Sequence, residues 1–112
     1  MSLPHVNTGE KLNLLDLNEE LPKESTFALV KTEKMEVIRL VLVAGKHIPE
    51  HRVEGEITVQ CLSGNLIFRV GDDESELRTG DWLYLAGGQK HSLQALTDCV
   101  CLVTILLPRN AA

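Results

Sequence analysis

The chain has 112 residues, enough for one domain that buries a little under ~70% of the surface its unfolded form exposes, so a single core suffices without disulfide staples. Lys and Arg number 11 against 16 Asp and Glu, a net charge of −5 with no basic run, which argues against nucleic acid and anionic membrane as partners. The longest apolar runs, 37–44 and 100–107, fall well short of the ~20 residues that span a bilayer, and residues 1–12 hold no apolar secretion signal, so the expectation is a cytoplasmic protein.

Cysteine usage agrees with that compartment: 3 thiols, an odd number, and no C-x-x-C pair. Cys99 and Cys101 are two apart on a predicted strand, share a face, and read as small apolar side chains. In chain order, residues 9–22 set Leu12, Leu14, Leu15, Leu17 and Leu21 among acids and amides, a pattern compatible with one short helix or with an edge strand, closed by Pro22. Residues 1–25 are therefore read as an N-terminal segment and 26–112 as the body of the fold.

From Thr26 the period switches to two and the content turns β-branched. Strands are predicted over 26–31, 37–43, 57–62, 65–70, 75–78, 82–85, 92–95 and 100–107, with turn residues between them. Short strands at regular spacing without a helical pattern predict an all-β, single-domain antiparallel barrel. Ser63-Gly64-Asn65 and Gly71-Asp72-Asp73 both read as hairpins. Trp82 and Tyr84 share one strand face opposite Leu83 and Leu85, and packing in the core or against another subunit is their expected role. The acids Asp72, Asp73, Glu74 and Glu76 read as a solvated hairpin tip.

Two segments carry the chemistry. The first runs from Gly45 through His47, Pro49, His51, Val53 and Ile57 to Gly64; the second runs from Gly80 through Ala86, Gly88 and His91 to Ala95. Together they resemble the two motifs of the cupin superfamily, G-x5-H-x-H-x3-4-E-x6-G and G-x5-P-x-G-x2-H-x3-N, and two motifs at the right separation are more specific than either alone. Gly45, His51, Gly64, Gly80, Gly88 and His91 fall on family positions; Val53 replaces the second histidine, Ile57 the glutamate, Ala86 the proline and Ala95 the asparagine. The resemblance covers roughly residues 37–106 and implies an RmlC-like cupin barrel, a double-stranded β-helix or jelly roll.

Metal-binding cupins, by the same resemblance, hold a divalent ion such as iron, manganese, nickel or zinc on the two first-motif histidines, the glutamate and the second-motif histidine. Only His51 and His91 of that set are present here, and valine and isoleucine ligate nothing. A third ligand would have to come from His47, Glu50, Glu54, Glu56 or Gln60. Pro49 gives no ladder donor, so a bulge between His47 and His51 would break the alternation and leave His47 unplaced by parity.

His51 and Val53, two apart, are expected to point inward together, and Ile57, Val59 and Cys61 to share one face of the next strand. The pocket set is Val53, Ile57, Gln60 and Leu93, with Leu83 and Leu85 lining or filling the same cavity. Such a lining suits a small organic molecule held by a few polar groups. The functional expectation is a small-molecule-binding cupin with a reduced metal set and no assigned catalytic residue. The alternative is a divalent-metal enzyme of dioxygenase or isomerase type using His51, His91 and an improvised third ligand. A homodimer is expected, since the leucine-rich segment needs somewhere to bury.

Overall fold

The computed structural model describes residues 5–14 and 26–108, and within them nine strands form two antiparallel sheets. The strands are β1 (Phe27–Lys31), β2 (Met35–Leu42), β3 (His47–His51), β4 (Ile57–Ser63), β5 (Asn65–Val70), β6 (Asp73–Arg78), β7 (Trp82–Leu85), β8 (His91–Ala95) and β9 (Cys99–Leu106). One sheet has the order β1-β2-β9-β4-β7 and the other β3-β8-β5-β6. Apart from the β1–β2 and β5–β6 pairs, every connection carries the chain from one sheet to the other, which is the jelly-roll winding. No helix among the described residues is long and apolar enough to cross a membrane.

Period-two sequence puts one face of each sheet into a shared core. On β4, Ile57, Val59 and Cys61 are buried while the residues between them are not, and on β8 His91, Leu93 and Ala95 alternate the same way. Leu66 and Phe68 of β5 and Leu77 of β6, in the same sheet as β8, complete the cluster against β4.

One expectation is corrected, one is narrowed, and one strand is added. Gly64 is no hairpin tip: β4 and β5 lie in different sheets, so the chain turns a corner there, whereas Gly71-Asp72 does close the β5–β6 hairpin with Val70 opposite Asp73. Of the two roles expected of Trp82 and Tyr84, the core is excluded: they stand 60% and 50% exposed on the outer side of β7, an edge strand, the side on which a second subunit would have to pack. The ninth strand is β3, which the apolar pattern passed over because it reads His-Ile-Pro-Glu-His.

Of the leucine-rich stretch, Leu15, Leu17, Leu21 and Pro22 lie outside the described residues. Residues 5–14 form no helix; the Val6 amide donates to the Leu29 carbonyl at 2.8 Å, which sets this segment along the outer edge of β1.

Candidate functional site

The site begins with an irregular strand pair. His47 lies opposite Gln94 and Ile48 opposite Leu93, but His51 then lies opposite His91, so β3 spends one more residue than β8 over this stretch. The extra residue falls at Pro49-Glu50, where proline leaves the ladder without a donor. Strict alternation would put Ile48 and His51 on opposite faces; the bulge turns both inward and leaves His47 exposed on the outer side.

Both histidines open onto a cavity of about 160 Å³ between the sheets. Ile38 and Leu40 of β2, Ile57 and Val59 of β4, and Val103 and Ile105 of β9 form one wall. The opposite wall comes from Ile48, His51, Phe68, His91 and Leu93, and Val53 closes the side next to His51. The only nitrogen or oxygen atoms that these side chains bring are those of the two imidazoles. A hydrogen bond from the Gly88 amide to the Val53 carbonyl, 2.8 Å, ties the loop before β8 to this closing segment. Gly87 permits the approach, because a Cβ there would run into the Glu54 carbonyl oxygen.

The rings of His51 and His91 are 4.3 Å apart between centroids and tilted by 57°, and His91 also stacks on Phe68 at 5.6 Å and 8°. His51 Nδ1 donates to the Pro49 carbonyl and His91 Nδ1 to the Gln89 carbonyl, each at 3.0 Å. A carbonyl only accepts, so in the neutral rings both Nδ1 atoms carry the proton and both Nε2 atoms are left as bare acceptors. Two acceptors cannot hydrogen-bond each other, and neither Nε2 has a partner among the described residues.

Burial pushes the His91 imidazole below its ordinary range; the Gln89 carbonyl opposes that shift and the neighbouring His51 adds to it. The unfolded chain therefore takes up this proton at higher pH than the folded one, starting near pH ~6.5. The stability that His91 contributes is whole above that value and is lost as pH falls through the folded-state pKa. Urea midpoints are expected to drop over that interval in the native protein and to drop less in His91→Phe. Identical profiles for the two proteins would contradict this.

Val53, Ile57 and Leu93 line the cavity beside His51 and His91. Gln60 does not: it shares the outward face of β4 with Thr58 and lies opposite Trp82. Leu85 is buried in the core and Leu83 packs against it, both outside the cavity wall. Glu50, Glu54 and Glu56 are exposed, and Glu56 accepts a 2.5 Å hydrogen bond from the Tyr84 hydroxyl. Among the described residues no group of three His, Cys, Asp or Glu side chains converges. Open catalytic metal sites take three protein ligands, so the two imidazoles and the hydrocarbon at positions 53 and 57 do not fit a divalent ion.

Cys61, Cys99 and Cys101 fill the core beyond the cavity, towards the Gly64 corner, with Cys61 directly opposite Cys101. Burial pushes the Cys61 thiol up, and hydrogen bonding to Cys99 together with burial does the same for Cys101, while the hydrogen bond with Cys101 pulls the Cys99 thiol down. The apolar role expected of Cys99 and Cys101 rests on their burial, 2% and 0% exposed.

A family model described as a cupin domain matches residues 38–105, a span that contains every cavity-lining side chain. No curated protein matches the chain. Among solved structures, a cupin superfamily protein from Desulfitobacterium hafniense superposes with a TM-score of 0.79 at 17% identity, covering 96% of this chain and 100% of its own. A conserved protein of unknown function from Streptococcus pyogenes gives 0.78 at 18% identity, covering 98% and 97%. An RmlC-like cupin with a double-stranded β-helix fold from Methanocaldococcus jannaschii gives 0.71 at 17% identity, covering 89% and 93%. At these identities the likeness concerns the fold, and activity has to be argued from the site.

Proposed function

The chain belongs to the cupin domain family, and from that premise we propose that its barrel holds a small organic molecule around His51 and His91 in place of a metal centre. The observation that carries this reading is the composition of the cavity wall: two imidazoles in an otherwise hydrocarbon lining. Small-molecule sites are concave, mostly apolar and furnished with a few convergent polar groups. The divalent-metal alternative needs a third donor. His47 stands exposed on the far side of the bulge and Gln60 on the outer face of β4, which weighs against both candidates.

Nitrogen–proton correlation spectra of labelled protein, titrated with a library of compounds of one ring or less, test the reading. Amide shifts are expected to concentrate at Ile48, Val53, Ile57, Leu93 and Ile105. A saturating binder should also raise stability by about 2.7 kcal/mol at a hundredfold excess over its Kd. Shifts confined to the outer surface around Trp82, or none across the library, would count against it.

A further inference from the structure

We propose that the ligand is an uncharged, single-ring molecule bearing a hydroxyl, a phenol in chemical class, whose O–H donates to Nε2 of His91 or His51 while its ring fills the hydrocarbon part of the cavity. The inference rests on the reading above and deepens it from a binding site to a ligand class. It follows from size, polarity and the direction of the hydrogen bonds.

Size comes first. An engineered apolar cavity of about 150 Å³ takes up benzene, and the cavity here is about 160 Å³. One six-membered ring with a small substituent fills that space, whereas a nucleotide or disaccharide does not. The wall also argues against sugars of any size. A sugar needs a polar partner for each hydroxyl it brings, and between them Ile38, Ile57, Val59, Val103 and Ile105 have none to offer.

Direction decides the polar end. Both Nδ1–H groups are spent on the backbone carbonyls of Pro49 and Gln89. With both rings neutral, what faces the contents is therefore two lone pairs and no donor. A carbonyl or carboxylate brought into this cavity would meet lone pair against lone pair, and no Lys or Arg lines it to balance a negative charge. A hydroxyl has the opposite polarity and satisfies an acceptor that is otherwise bare. The stack of His91 on Phe68 presents two nearly parallel rings, so an aromatic guest has edges and faces to pack against. His51 is exposed while His91 is 5% exposed, which sets the first imidazole at the mouth and the second inside.

Calorimetric titration of the full chain at neutral pH with phenol, toluene and benzoate separates the possibilities. Phenol is expected to bind roughly tenfold more tightly than toluene, the worth of one satisfied hydrogen bond, and benzoate more weakly than either. In His91→Phe the preference for phenol over toluene should shrink towards unity. Should that variant fail to fold, His51→Leu at the exposed mouth keeps the comparison, since it removes one of the two acceptors and is expected to narrow the same ratio. Equal affinity for phenol and toluene, or a preference for benzoate, would overturn the ligand class while leaving the cavity as a binding site. If none of the three binds at millimolar concentration, the proposal falls together with the reading it rests on.

Discussion

Replacing Gly64 by alanine is expected to lower stability by about 2 to 5 kcal/mol, a large share of what a domain of this size possesses. Two costs combine there. Gly64 has φ +83°, a left-handed conformation that a Cβ disfavours, and that Cβ would also collide with the Asp98 carbonyl oxygen and lie 2.8 Å from Cys99 Cβ. Neither neighbour can yield cheaply, because Asp98 contributes backbone and Cys99 is buried at the start of β9. Gly45 is the control: its φ of +85° is similar, but nothing lies within 4 Å of an added Cβ. Gly45→Ala should therefore cost only the backbone part, about 1 to 2 kcal/mol. Urea denaturation of the two variants measures the difference, and equal losses would show that the corner does not depend on close packing at Gly64.

Phe68→Ala is expected to cost about 3 to 5 kcal/mol, the range for removing a buried aromatic ring from a core that relaxes only in part. Phe68 is 1% exposed, packs in the main cluster, lines the cavity and stacks on His91, so its loss both destabilises the barrel and enlarges the pocket. Phe68→Leu keeps most of the volume and should lose appreciably less. Denaturation curves of both variants give the answer. If Phe68→Ala unfolded with the midpoint of the native protein, Phe68 would not be part of the packed core described above.

The strands were readable in the sequence wherever apolar residues alternate. The predicted runs 65–70 and 82–85 match β5 and β7, and the others agree to within two residues at their ends, because one buried face imposes period two on the side chains. β3 escaped that pattern. Its residues include proline and glutamate and four of the five are exposed, so it is a strand by virtue of its pairing with β8 and not by its own propensity.

Pairing partners were legible only in part, since local signals say that the chain turns but not where the next strand docks. Gly64 has the composition of a hairpin and the geometry of a corner. The β5–β6 turn, of similar composition, is a hairpin.

The same distinction runs through the site. His51 and His91 were marked by motif spacing, and Val53, Ile57 and Leu93 followed from their places beside those positions. Gln60 sits between Val59 and Cys61, which period two assigns to the inner face, so the same alternation turns Gln60 outward. His47 was beyond the reach of parity, because one inserted residue at Pro49-Glu50 reverses the face of everything before it. The remaining wall residues, Ile38, Leu40, Val103 and Ile105 above all, belong to β2 and β9, whose apolar runs announce burial but not which end of the barrel they face. Register between strands distant in sequence supplies that information.

Metal analysis of the protein purified without chelator decides whether two imidazoles in a hydrocarbon cavity are a site for an organic molecule or for an ion. Iron, manganese, nickel and zinc are each expected well below one equivalent per chain, with no change in His51→Ala or His91→Ala. Near-stoichiometric metal in the native protein, lost in both variants, would contradict the organic-molecule site.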